Sequence, residues 1–235
     1  MSAAFVFANG VEAAVALWLL RRREPGELSF TAPRDVVRFC GAALAASFVG
    51  AGIATLFAGT GFDFFLSWLT TVALGILIVT PPIVMLARLI VSNAFSNAPA
   101  GMKTEATAIL TGAAAITAIC FSQSQFPVNF LPYVAVIVAS YRLGPFGAAA
   151  GILIVTIIAS LLTAQGFGPI AAIDGEPKVK IFFLQFYLLS MLVVALPLAA
   201  LLVVQRRLSR RLEQSNRWLL LAEAAALVGP WRVGP

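Results

Sequence analysis

Long apolar runs alternate with short polar breaks along most of the chain. The runs cover roughly residues 3–20, 37–59, 65–87, 105–122, 128–142, 146–164 and 181–204. A membrane-crossing helix needs about 20 predominantly apolar residues, so this pattern predicts an all-α, polytopic bundle of about seven spans. The fifth and sixth runs are short and joined by "RLGPFG", which predicts a hairpin of tilted helices. Pro81 and Pro82, and further on Pro197, fall inside apolar runs. There they are expected to kink helices whose freed carbonyls neighbouring groups re-satisfy.

The pattern changes after the last run. Leu201, Gln205, Leu208, Leu212, Ser215, Leu219, Ala222 and Ala226 recur at alternating four- and three-residue steps. That spacing is a heptad seam continuing out of the last span. It predicts a helix that dimerises in parallel, its polar seam positions setting register at a cost in stability. Arg206, Arg207, Arg210 and Arg211 lie off the seam, where they can meet anionic headgroups. Pro197, just before the seam, is the expected flexing point.

Composition supports the membrane reading. The chain is 60% hydrophobic and 11% charged, with a mean hydropathy of +0.96, against about a quarter charged for ordinary soluble domains. The net charge of +6 does not indicate nucleic acid, because the basic residues sit at the ends of apolar runs. Of the 16 Lys and Arg, only Lys178 and Lys180 fall on one side of the expected bundle; the other 14 fall on the opposite side. This asymmetry predicts a cytoplasmic C-terminus, with residue 1 on the outer face. The outer loops are then "AGTGFDF", "SQSQFPVN" and "GFGPIAAIDGEPKVK". The opening "MSAAFVFANG" lacks a basic flank, which suggests further spans upstream, and no cleavable signal is evident.

The chemistry open to this chain is narrow. It contains no histidine, so a His-ligated haem or metal site and a Ser–His nucleophile are excluded from it. Cys40 and Cys120 are expected at opposite faces, as small apolar residues rather than a disulfide. No nucleotide-binding motif or catalytic constellation is present, and no cofactor is expected. Glu12 lies within the first run, at a depth where a carboxylate is costly and faces the bundle interior or a cavity. A ligand contact or switch and a purely interhelical hydrogen bond both fit it. Arg142, beside Tyr141, suits anchoring at the interface. Asp63 and Glu105 are expected at helix starts, where the dipole favours acids. Gly166, Gly168 and Pro169 in "AQGFGPI" form either a shaped recognition turn or a sharp connection. Gly147 and Gly151 form a small-xxx-small pair suited to close helix approach.

Four segments, "NGVEAAVALWLLRR", "FLSWLTTVALGILIVTPPIVML", "SYRLGPFGAAAGILI" and "AQGFGPI", resemble in order and spacing an integral membrane sensor domain. That domain is the membrane-associated sensor, type one, found at the N-terminus of bacterial histidine kinases and diguanylate cyclases. The resemblance covers roughly residues 9–205 and carries over Glu12, Trp68, Gly75, Pro81, Arg142, Gly144, Gly168 and Pro169. Thr71 and Val72 stand where the family usually has a Gly-Asp pair, and the family's upstream spans are missing. The final "LLLAEAAALVGPWRVGP" resembles the start of a PAS domain, through Glu223, Gly229 and Trp231.

The resemblance implies reception of an unknown ligand by the membrane bundle. The signal would pass through span seven to a histidine kinase or cyclic-di-GMP enzyme beyond the chain. Residues 1–204 would form a sensor domain lacking its N-terminal part, 205–228 a linker helix, and 229–235 the opening of the PAS-like domain. Signal transmission would run through Pro197, Leu201, Leu208, Leu212 and Leu219. The expected setting is the bacterial inner membrane, with the lipid bilayer and a second copy of the chain as partners, and no enzymatic activity in this chain. A small transporter or channel using Glu12 is the alternative, and a scaffold that only anchors a partner is a third.

Overall fold

The structure, a computed structural model, describes residues 2–23, 30, 32–59, 61–92, 99–126 and 128–226. Six helices account for nearly all of them: α1 (Ser2–Arg23), α2 (Pro33–Ala58), α3 (Phe62–Val91), α4 (Ala100–Ser122), α5 (Phe130–Ala164) and α6 (Pro177–Ala226). No strand occurs among the described residues. Helices α2 to α6 are each long and apolar enough to cross a membrane. The PAS-like ending expected from residue 229 lies outside the described residues.

Local chemistry sets the helix ends. Pro33 opens α2, where its missing N–H removes no hydrogen bond. Gly59 closes it in the left-handed conformation (φ 64°), its N–H donating to the Thr55 carbonyl at 3.0 Å. Asp63 lies in the first turn of α3, as expected. Glu105 lies beyond the first turn of α4, which contains no acidic residue. Helix α3 continues through Pro81 and Pro82, and α6 through Pro197.

The seven apolar runs correspond to six helical elements, because the fifth and sixth are the two limbs of α5. The backbone leaves helical geometry at Gly144 (φ 68°, ψ −151°), followed by Pro145. The second limb then doubles back on the first. A Cβ added at Gly151 would lie 3.4 Å from Val136 Cγ2 and 3.7 Å from Ala139 Cβ. In a straight helix these residues would be about 20 Å apart at 1.5 Å rise per residue. Gly147 meets Ala139 still more closely. The expected hairpin is therefore present, with its glycine pair at the crossing.

Helix α6 is the central element. Leu188, Met191, Leu192, Ala195, Leu196, Ala199 and Ala200 are all buried. They pack with Leu74, Leu77, Ile78 and Met85 of α3, with Ala148, Ala149, Ile152 and Val155 of α5, and with Val36, Phe39 and Ala43 of α2. The buried face of α2 consists mostly of small residues, among them Ala46, Ser47, Gly50, Ala51 and Ala54. Small residues let backbones approach closely, and packing of this kind drives association where lipid is as apolar as the protein. Large apolar side chains such as Leu44, Phe48, Leu56, Ile83 and Val193 instead point outward, as a lipid-facing surface requires.

The two ends of the bundle differ in charge. Phe5, Phe57, Phe64, Asn129, Gly168 and Lys178 share one end. Arg22, Arg38, Arg88, Lys103, Arg142 and Arg206 share the other. Cys40 and Cys120 lie towards opposite ends and are both free thiols.

Candidate functional site

Glu12 is 2% exposed and Ser47, on α2, is fully buried. The Ser47 hydroxyl donates to Glu12 Oε1 at 2.5 Å. Gly50, one turn on, leaves the space that the Glu12 carboxyl fills: a Cβ there would lie 2.9 Å from Oε2. The sequence placed this acid at depth but gave no sign of Ser47 or Gly50, which only the α1–α2 packing brings to it. The arrangement ties α1 to α2 at depth, and the Arg38 Nη2 donating to the Leu20 carbonyl at 3.4 Å ties them again towards the arginine-rich end.

At the less basic end of the bundle, a cleft of 820 Å³ opens between the first turns of α3 and α6. Its polar lining consists of Asp63, Ser67, Glu176, Lys178 and Gln185, and its apolar lining includes Phe62, Phe64 and Phe182. At its inner side Gln185 Nε2 donates to Thr71 Oγ1 at 3.0 Å. Gln185 Oε1 is buried without a hydrogen-bond partner. Thr71 is one of the two residues at which the resemblance departs from the family pattern, and it lies beside the cleft through this bond. Trp68 backs the same region, with ring centroids 5.1 Å from Phe5 and 5.7 Å from Phe64. Apart from Asp63, read as a helix-start acid, and Lys178, read only as one of two basic residues at the outer face, none of the polar lining was singled out from sequence, because its members come from distant segments.

The loop after α5 packs next to this end of the bundle, with Gly168 buried and Gly166 open. Gly168 is buried at φ +92°, and a Cβ on it would lie 2.8 Å from the Phe121 carbonyl oxygen. Ser124 Oγ donates to the Gly168 carbonyl at 3.3 Å. Pro169 is half-buried, whereas Gly166 is exposed at φ +87° with open space around it. Nearby, the Tyr133 hydroxyl donates to the Tyr187 carbonyl at 2.9 Å and contacts Ser190 Oγ. The Tyr187 hydroxyl donates to the Asn129 carbonyl at 2.9 Å. These bonds fix α5 to α6 about two to three turns before Pro197, and sequence gave no hint of them.

At the arginine-rich end, Arg142 forms an ion pair with Glu105 of α4, its Nε donating at 2.5 Å. Glu105 thus serves a tertiary contact rather than a helix start. Arg142 is exposed and Glu105 partly so, so the pair is worth about 0–1 kcal/mol. Gly75, which the resemblance also carried over, is exposed with nothing near its Cβ position. From residue 205 to 222 every side chain of α6 is exposed, including Leu208, Leu212 and Leu219, and Leu201 just before them is exposed as well. Among the described residues, no three His, Cys, Asp or Glu side chains converge as a metal site would require.

The fold and these features define the class: a multi-pass helical membrane protein whose polar groups tie helices together and line an open cleft. The MASE1 family model matches residues 1–229, and the chain belongs to the MASE1 family of membrane sensory domains. MASE1 domains are sensory parts of signalling proteins and are not catalytic. No curated protein and no solved structure matches the chain. The match runs to residue 229, so it includes the whole exposed stretch 205–222 of α6 as well as the bundle.

Proposed function

We propose that the chain senses a stimulus at the cleft end of the bundle and passes it through α6 to a cytoplasmic output domain. The observation that carries this reading is the continuity of α6. One helix of 50 residues borders the cleft with Lys178, Phe182 and Gln185, forms the centre of the core, and emerges as the exposed stretch 205–222. At 1.5 Å per residue it is about 75 Å long, far more than the ~30 Å hydrocarbon core requires. A displacement at its first turns is carried along the continuous helix, and packed interfaces respond to such shifts by switching arrangement.

In this reading α1, α2, α3, α4, both limbs of α5 and α6 cross the bacterial inner membrane, giving seven crossings. The arginine-rich end faces the cytoplasm by the positive-inside rule. Leu201, Gln205, Leu208, Leu212 and Leu219 meet their equivalents in a second copy. The output would be a histidine kinase or a cyclic-di-GMP enzyme. Glu12 and Arg142 hold the bundle in register, and Pro197 supplies the flexing point.

Single cysteines placed along 201–222 test this route. Cross-linking in membranes is expected to peak at 201, 205, 208, 212 and 219. A profile with no periodicity would remove the seam and, with it, the proposed path.

A further inference from the structure

We propose that the cleft between α3 and α6 binds an organic ammonium group carried on an apolar body. This deepens the sensory reading above by naming the chemistry of what is sensed at that end, and rests on it only for the consequence of binding. The volume of 820 Å³ suits a small organic ligand.

Three features of the lining point to a cation. Its charged groups are two carboxylates, Asp63 and Glu176, against one ammonium, Lys178. Among the described residues none of these three side chains has a hydrogen-bond or ion-pair partner. Three phenylalanines, Phe62, Phe64 and Phe182, line the same space. Ring faces attract cations, and ring bodies cover apolar groups. At the inner side, Gln185 Oε1 lacks a donor while its Nε2 is engaged by Thr71. The oxygen itself is buried, so a donor in the cleft meets it once the Gln185 amide turns outward; an N–H-rich group rewards that turn and an anion does not. Lys178 opposes a cation, and that opposition gives the proposal a charge-sign test.

The ammonium can come from a dissolved amine or from the headgroup of an aminophospholipid, since the cleft lies at one end of the bundle. The full 235-residue chain is placed in nanodiscs of phosphatidylglycerol with a neutral glycolipid and titrated calorimetrically with phenethylammonium. Saturable binding is expected. Asp63→Asn and Glu176→Gln should each weaken it by up to about fivefold, and Lys178→Gln should tighten it by about threefold, the scale of single exposed charge contacts. Phe182→Ala should weaken it too. All four positions are exposed, and unchanged helical circular dichroism checks that the variants fold.

Replacing the glycolipid by phosphatidylethanolamine at the same proportion separates the two sources. A fall in apparent affinity there identifies the lipid headgroup as a competing occupant; an unchanged affinity assigns the site to dissolved amines. Absence of saturable binding in the glycolipid discs would overturn the proposal. So would weaker binding in Lys178→Gln, or tighter binding of phenylpropionate than of phenethylammonium. Binding without any change in cross-linking along 201–222 would leave the site standing and remove the signalling route. A periodic seam with no binding would do the reverse.

Discussion

The Arg206 guanidinium lies over the Tyr141 ring, 5.3 Å from its centroid, while its Nη2 donates to the Tyr141 carbonyl at 2.5 Å. Tyr141 belongs to the first limb of α5, three residues before the reversal at Gly144. Arg206 stands where α6 leaves the bundle. The contact is the final described tie between α6 and the rest of the protein, and every side chain beyond it to residue 222 is exposed. It therefore sets the rotation with which the exposed part of α6 departs.

Removing this tie should loosen the exit of α6. Arg206→Ala loses both the stacking and the charged hydrogen bond, together about 1 kcal/mol or more. Arg206→Lys keeps the charge but loses the planar group that stacks, so it should fall between wild type and Ala. Spin labels at 208 and 212 are expected to show greater mobility in the order wild type, Lys, Ala. Equal mobility in all three would mean that the contact does not hold the helix.

Glu12, Ser47 and Gly50 form a unit whose parts should not behave additively. Ser47→Ala leaves the Glu12 carboxyl without its donor and should cost about 1–3 kcal/mol. Gly50→Ala puts a methyl group 2.9 Å from Glu12 Oε2, so the carboxyl must move away from Ser47, at a cost of about 1–3 kcal/mol. In a Glu12→Ala background both substitutions should become much cheaper, because the group that they disturb is gone. Unfolding in mixed detergent micelles gives the coupling energies directly. Additive costs would show that the three residues act separately.

Helices α2 to α6 were legible in the sequence because membrane spans reveal themselves through length and apolarity alone. The α5 hairpin was legible too: Gly144 followed by Pro145 marks a break, and Gly147 and Gly151 mark the close approach that follows it. What a polar residue touches was not legible. Glu12 stood out as an acid at depth, but its donor is 35 residues away and is one serine among many. Asp63 could be assigned to a helix start, yet nothing in its neighbourhood announced Glu176 or Gln185 across the cleft. Glu105 was assigned to a helix start by proximity to the apolar run, whereas α4 begins earlier, at Ala100, and the side chain reaches Arg142 instead. Periodicity tells which face of a helix is buried, but not which helix covers it.

Gly166 and Gly168 both adopt positive φ, yet they should respond differently to substitution. Gly166 has open space around it, so Gly166→Ala costs only the backbone term, about 1 kcal/mol. Gly168→Ala adds a collision with the Phe121 carbonyl oxygen at 2.8 Å and with Phe121 Cδ1 at 3.2 Å. Phe121 and Ile170 belong to the cluster under this loop, so the cost should rise to about 2–4 kcal/mol. Thermal unfolding of the two variants in detergent checks the ranking. Limited proteolysis should cut the 165–176 loop faster in Gly168→Ala alone.

The hairpin offers a sharper contrast, because its two glycines face the same limb at different separations. At Gly147 a Cβ would run into the Ala139 carbonyl and Leu143 Cβ. Backbone cannot swing aside as a side-chain tip can, so Gly147→Ala must push the limbs apart. Doing so disturbs Val136, Ala139 and Ala148, all buried, and should cost about 1–3 kcal/mol. At Gly151 the nearest atom is Val136 Cγ2 at 3.4 Å, an ordinary contact distance. There alanine gains helix propensity of up to about 1 kcal/mol over glycine and some dispersion contact, so Gly151→Ala should be neutral or stabilising. Gly112→Ala, with nothing within 4 Å, serves as the control for propensity alone. Detergent unfolding should place Gly147→Ala well below wild type, with the other two at or above it. If Gly147→Ala matched Gly112→Ala instead, the limbs of α5 would not be packed at that crossing, and the short fifth and sixth apolar runs would need a different arrangement in the membrane.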